Sequence, residues 1–271
     1  MLVYATIRCE MTADLDRPDR HLAHERRARL LDLVSARRAA RLEDLAQAVG
    51  VSVATVRRDL DEMAAQNLLR RVHGGAVALD GQREPHFDAK ATEAVAEKER
   101  IAARAVALLG PDDTVYLDSG STVLAAARLL RGWDRLTVVT NSLPVANELG
   151  GAGPKVILVG GEFRATSQAF VGPMTRHLLE TVHVGKALIG TYALSLDGGL
   201  STTDAAEAFT KALAAQRATE VIVLADSRKL GTDSFAHATP ISAIDVLVTD
   251  DGIDPHLVRA LQERGVTVIT A

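Results

Sequence analysis

The sequence contains a single cysteine, Cys9, so no internal disulfide can form, and no Cys/His cluster stands near it at the spacing of a structural zinc site. No two histidines sit at helix-ligand spacing beside a glutamate, which removes the zinc-hydrolase pattern. No apolar run approaches the roughly 20 residues that cross a bilayer. Residues 1–10 also lack a charged region followed by an apolar one. These gaps lead to the expectation of a cytoplasmic protein with no membrane partner, no metal, no cofactor and no catalytic residues.

What is present is the composition of a soluble globular protein, 47% hydrophobic and 24% charged, in 271 residues that suit one small and one ordinary domain. The net charge of −4 conceals an asymmetry. Residues 20–79 carry eleven Arg against seven acidic residues, a net of +4, whereas residues 80–271 carry eighteen basic against twenty-four acidic residues, a net of −6. Basic charge confined to one small segment is the footprint of a domain that meets phosphate beside one that does not.

Residues 1–22 show no period and read as an N-terminal extension, with Met11 as an alternative start. From Ala23 the spacing of Leu30, Leu31 and Val34 predicts a helix. A second helix is expected over Glu43–Val49, ended by Gly50, and a third over Val53–Gln66, capped by Ser52, with Val56, Leu60 and Met63 on its apolar face. Two short strands around His73-Gly74-Gly75 complete a winged helix-turn-helix over residues 23–79, followed by a linker over 80–96 and an α/β domain over 97–271. In that second domain seven β-rich runs, from Thr114–Leu117 to Val266–Thr270, alternate with amphipathic segments, which predicts a mostly parallel sheet covered by helices.

Burying Val56, Leu60 and Met63 turns Ala54, Arg57, Arg58 and Asp61 outward and leaves Thr55 at the exposed first turn. With no carboxylate in that turn, the positive helix end is open to a DNA phosphate. Arginine can clamp phosphates or donate two hydrogen bonds to guanine in the major groove. An isolated Arg-Arg pair is ordinarily a solvated helix face. Here a helix, Gly50 and Ser52 precede the pair, and a glycine hairpin with Arg70 and Arg71 follows it. Ser52, Ala54, Thr55, Arg57, Arg58, Arg70, Arg71 and His73 are therefore the candidate contacts to double-stranded DNA, with His73 equally suited to a structural role in the hairpin.

In the second domain Asp118-Ser119-Gly120-Ser121-Thr122 lies between a strand and a helix, where free backbone N–H groups and three hydroxyls make a phosphate cradle. The loop lacks the Lys-Ser/Thr ending of a nucleotide P-loop. Thr140-Asn141-Ser142 and Gly160-Gly161-Glu162 also follow strands, so all three loops belong at the carboxyl edge of the sheet. Each loop alone suits a helix cap or a tight turn. Three on one edge, in an acidic domain that retains Lys211, favour a pocket for an anion.

Leu45-Ala46, Val51-Ser52, Thr55-Val56-Arg57-Arg58-Asp59-Leu60 and Leu69-Arg70-Arg71-Val72-His73-Gly74-Gly75-Ala76 resemble the signature of the DeoR family in order and spacing. Lys98 to Ala102, the three loops, Val171-Gly172, Lys211 and Leu224-Ala225-Asp226-Ser227 extend the resemblance over about residues 24–250. The resemblance implies a repressor of a sugar-catabolism operon that binds operator DNA as a homo-oligomer. It also implies a C-terminal sensor domain with a sugar-phosphate isomerase-like fold, responding to a phosphorylated sugar or polyol. Asp118 and Glu162 would then meet sugar hydroxyls, and amides, hydroxyls and Lys211 the phosphate. Lys211-Ala212 replaces the Lys-Arg of many members, which puts one auxiliary basic contact in doubt. The alternative function is an isomerase-like enzyme with a DNA-binding appendage, for which Asp118, Glu162 and Asp226 are available carboxylates.

Overall fold

Leu30, Val34, Leu45, Val56, Leu60, Met63 and Leu69 pack into one buried cluster, the core that their helical spacing predicts. The computed structural model describes residues 26–34, 39–65, 68–72, 74–77 and 84–271, divided between two units, Met1–Leu79 and Asp80–Ala271. The expected extension over 1–22 and His73 lie outside the described residues.

In the first unit, helix α1 (residues 26–34) precedes β1 (Ala39–Arg41), α2 (Leu42–Val49) and α3 (Val53–Ala65). Gly50, at φ 70°, ends α2 in the left-handed region, which favours glycine, and its N–H bonds the carbonyl of Ala46 at 3.0 Å. Strands β2 (Arg70–Val72) and β3 (Gly75–Val77) form the expected hairpin. Strand β1 has no counterpart in the sequence pattern, being only three residues long. It pairs antiparallel with β3 and makes a three-stranded wing, order β1-β3-β2. Gly75 permits this approach, because a Cβ there would lie 2.2 Å from the carbonyl oxygen of Ala40.

The second unit opens with α4 (Phe87–Thr92) and α5 (Val95–Val106). Ala94, at φ 47°, breaks them apart. The remaining elements are β4 (Thr114–Leu117), α6 (Ser121–Leu129), β5 (Thr137–Thr140), α7 (Leu143–Leu149), β6 (Lys155–Leu158), β7 (Glu162–Arg164), β8 (Ala169–Val171), α8 (Arg176–Leu179), β9 (Val184–Gly190), β10 (Ala193–Ser195), β11 (Gly199–Thr202), α9 (Ala205–Gln216), β12 (Ala218–Leu224), β13 (Ala236–Thr239), β14 (Val246–Thr249), α10 (Pro255–Gln262) and β15 (Thr267–Thr270).

All seven β-rich runs of the sequence enter one parallel sheet, order β15-β14-β12-β9-β4-β5-β6. Alternate strand residues feed two cores. Val115, Leu117 and Leu188 face α5, α6 and α7, while Tyr116, Ala187 and Ile189 face α9. The chain winds from β4 outward through β5 and β6, then returns to place β9 on the other side of β4. The carboxyl ends of β4 and β9 therefore flank the topological switch point, where open α/β sheets bind ligands. Among the described residues no helix is long and apolar enough to cross a membrane.

Candidate functional site

In the first unit the third helix presents its predicted face. Ala54, Arg57 and Arg58 are exposed, Thr55 is half-buried, and no acidic residue occupies the first turn. Ser52 accepts from the backbone N–H of Thr55 at 3.1 Å and its hydroxyl lies 2.9 Å from that of Thr55, so the pair caps α3.

The arginines of this unit divide into two groups. Arg26 and Arg27 reach the buried carboxylate of Asp59, at 2.7 and 3.0 Å. Burial would push Asp59 up, but the two guanidiniums hold it below the usual aspartate value. Arg71 bonds Asp61 at 2.8 Å and the Gly75 carbonyl at 2.6 Å, which ties the wing to α3. Arg57 and Arg58, in contrast, have no ion pair among the described residues.

In the second unit Asp118 and Lys211 meet at the switch point. Lys211 on α9 donates to the Asp118 carboxylate and to the Gly190 carbonyl at 3.1 Å, and lies 3.4 Å from Glu207. The Gly190 N–H donates to the same Asp118 oxygen at 3.1 Å. Burial would push the Lys211 ammonium down, but Asp118 and Glu207 hold it above the usual lysine value. The other carboxylate oxygen of Asp118 is buried without a hydrogen-bond partner among the described residues. Beneath the pair, burial and the charges of Asp118 and Glu207 keep the Tyr116 phenol protonated.

The Asp118 loop opens α6 through Gly120, whose φ of 137° suits only glycine well. The backbone N–H groups of Ser119 to Thr122 have no hydrogen-bond acceptor among the described residues. They form an open helix N-terminus beside the Lys211 ammonium. The Ser121 hydroxyl donates to the Lys90 carbonyl at 3.3 Å.

The second loop is mostly committed to internal bonds. The Thr140 hydroxyl donates to the Leu117 carbonyl at 2.6 Å and accepts from the Ser142 N–H at 3.0 Å, while Ser142 caps α7 through the Val145 N–H at 3.4 Å. The Asn141 amide donates to the Phe170 carbonyl at 3.0 Å, and its oxygen is buried without a partner among the described residues. In the third loop Gly161 lets the chain pack against Val171 and Thr175. Gly160 and Glu162 are exposed, and the Glu162 carboxylate makes no ion pair or hydrogen bond among the described residues. Thus the structure unites the first loop with Lys211 through Asp118.

Several charged residues around this site were not anticipated as contacts. Arg164 lies 2.8 Å from Glu84 and 3.2 Å from Glu207, and Lys90 pairs with Glu84. Lys98 is buried against the carbonyls of Lys90 and Glu93. Burial, together with the charge of Lys229, pulls its pKa down to about 8. Asp226 holds Arg228 at 2.8 Å and Lys229 at 3.7 Å. Burial and the charges of Lys90, Arg228 and Lys211 pull Lys229 down, against Asp226. In a unit with a net charge of −6, three lysines are therefore linked to the α6 N-terminus, Lys211 through Asp118, and Lys90 and Lys98 through the Lys90 carbonyl that Ser121 meets. Asp226 was accessible to sequence reasoning, since it follows β12, the strand beside β9. Arg164 and Glu84 offered no local signal.

A winged helix-turn-helix joined to a parallel α/β unit with a buried ion pair at its switch point defines a DNA-binding transcriptional regulator. The DeoR-like helix-turn-helix domain matches residues 26–82 and the DeoR C-terminal sensor domain matches residues 93–251, so the chain belongs to the DeoR family. The HTH-type transcriptional regulator GlpR of Haloferax volcanii is 35% identical over 92% of this chain and 98% of its own length. The glycerol-3-phosphate regulon repressor of Escherichia coli is 33% identical over 82% of this chain and 88% of its own. Among solved structures, ribose 5-phosphate isomerase A of Methanocaldococcus jannaschii is 18% identical, covering 49% of this chain and 53% of its own, with a TM-score of 0.37.

Proposed function

We propose that this regulator represses an operon for sugar or polyol catabolism and responds to a phosphorylated sugar or polyol bound at the Asp118 loop. The observation that carries this reading is the open N-terminus of α6 beside the buried Asp118–Lys211 pair. Unbonded N–H groups and the hydroxyls of Ser119, Ser121 and Thr122 suit a phosphate, which Lys211 and the nearby lysines would balance. The unpartnered oxygens of Asp118 and Asn141 suit sugar hydroxyls. The name of the Escherichia coli relative, a repressor of a glycerol-3-phosphate regulon, supports the phosphorylated class.

In this reading the chain senses and does not catalyse. It acts in the cytoplasm as at least a dimer, because one recognition helix covers only a few base pairs and specificity needs two half-sites. The test is a thermal-shift screen of phosphate monoesters, each beside its unphosphorylated parent. A ligand at 100 times its dissociation constant stabilises the folded state by roughly 2.7 kcal/mol. Stabilisation by a phosphate ester but not by its parent is expected, together with a change in operator affinity. No response to any ester overturns the reading, and turnover of one would make the unit an enzyme.

A further inference from the structure

We propose that Glu84 couples the anion site to the segment arriving from the DNA-binding unit, through an alternating chain of charges that ends at the Asp118 loop. The proposal rests on the effector reading given above and adds the route by which binding is reported.

Glu84 is the first described residue of the second unit after residues 80–83, and although charged it is 7% exposed. One carboxylate oxygen takes Lys90, and the other takes Arg164 at 2.8 Å and the Thr203 hydroxyl at 2.8 Å. A buried glutamate needs such partners, because unpaired it forfeits its solvation. Three residues further on, the Phe87 side chain is buried and its N–H bonds the Thr166 carbonyl at 2.8 Å. The entering segment is therefore held by this carboxylate and by the loop that follows Arg164.

From Glu84 the charges lead inward by two routes. Arg164 also binds Glu207 at 3.2 Å, Glu207 lies 3.4 Å from Lys211, and Lys211 binds Asp118. By the shorter route Lys90, whose ammonium binds Glu84, offers its backbone carbonyl to Ser121 at 3.3 Å and to Lys98. Both ends of Lys90 are thus engaged, one by the entering segment and one by the cradle.

A phosphate monoester brings about −1.5 to −2 charges to the α6 N-terminus. Lys90, Arg164 and Lys211 already balance Glu84, Glu207 and Asp118, so the two lysines cannot hold the new anion at full strength without loosening an existing pair. Of these two lysines Lys90 is the one with room to turn, its side chain being 19% exposed against 3% for Lys211. Its turn toward phosphate removes one of the three holds on Glu84 and loosens residues 84–92. A role confined to stability would tie down the same segment, yet it would not respond to the anion.

The test uses the full chain with glycerol 3-phosphate, ribose 5-phosphate and fructose 6-phosphate. Operator duplex is enriched from a random pool by the wild type, and binding, operator affinity and amide exchange over residues 84–92 are measured. The expected result in the wild type is faster exchange over 84–92 on binding, with an operator affinity change of roughly fivefold or more, the lower end of ordinary coupling. Glu84→Gln should still bind the same ester within about threefold, start with fast exchange, and show an operator response below about twofold, while Glu84→Asp restores part of it. Because the wild-type exchange measurement stands alone, the proposal remains testable should Glu84→Gln fail to fold. Ester binding with unchanged exchange over 84–92, or a Glu84→Gln response equal to the wild type, overturns the relay and leaves the anion site standing. Failure of every ester to bind overturns the effector reading and the relay with it.

Discussion

Lys211 and Asp118, 93 residues apart in sequence, form an ion pair in which both side chains are buried. The pair sits at the switch point of the sheet, and Glu207 shares the same ammonium at 3.4 Å. Its contribution is best read from what removal leaves behind. Without Lys211, Glu207 keeps Arg164 but the buried Asp118 carboxylate loses its cation, and breaking a buried pair in this way costs about 3 to 5 kcal/mol.

Lys211→Met should therefore destabilise the second unit by about 3 to 5 kcal/mol in a urea titration, and Asp118→Asn in the same chain should recover part of the loss. This consequence exceeds a simple lost contact to effector. A loss under about 1 kcal/mol for Lys211→Met, comparable with a surface pair, would show that the site takes up water and that the ammonium is replaceable.

Lys98 gives the site an alkaline limit. Its ordinary value of 10.5 falls to about 8 in the folded protein, chiefly through burial and then through Lys229. Between these values the unfolded chain binds a proton that the folded chain has released, so this group's contribution to stability rises with pH across that window. At neutral pH the ammonium is kept, at a cost in stability, between the carbonyls of Lys90 and Glu93. The charge is then available to an anion at Ser121. Phosphate-ester affinity should fall as pH rises through about 8, where the ester itself is already a dianion. Lys98→Met should bind more weakly at pH 7 and lose this dependence. A wild-type affinity that stays level from pH 7 to about 9.5 would remove Lys98 from the anion's surroundings.

The sequence made the parallel sheet legible because strands covered on both faces read as short apolar runs, such as Val246–Thr249. Strands β1, β7, β8 and β10 were not legible, each being three residues long, and the equally short β2 and β3 were read only from the glycine turn between them. Loop chemistry located Asp118 and its helix N-terminus, since a strand, a Ser/Gly/Thr cluster and a helix follow one another locally. The partners of Glu84 were not legible. Lys90, Arg164 and Thr203 come from three separated stretches, and only the folded chain sets them around one carboxylate. Similarly, hydroxyls look alike in sequence whether open to a ligand or, like Thr140, bonded to the neighbouring strand at 2.6 Å.

The final prediction separates arginines that hold the first unit together from those that meet DNA. Arg26 and Arg27 are paired with Asp59, Arg27 also with Glu62, and Arg71 is tied to Asp61 and the Gly75 carbonyl. Arg57 and Arg58 are exposed on α3 and have no ion pair among the described residues, so their charges remain available to a duplex. Arg57→Ala or Arg58→Ala should leave thermal stability within about 0.5 kcal/mol, as for ordinary surface changes. Either substitution should weaken operator binding by roughly 1 to 3 kcal/mol and relax preference at one base position if that guanidinium reads a base edge. If instead it clamps a phosphate, binding to all duplexes should weaken alike and the salt dependence should flatten by about one counterion. Arg71→Ala should behave differently, lowering stability as the wing loosens from α3. Operator titrations at two salt concentrations, set beside melting curves, distinguish these outcomes. Unchanged operator affinity in both the Arg57 and Arg58 variants would mean that α3 is not the helix that enters the groove.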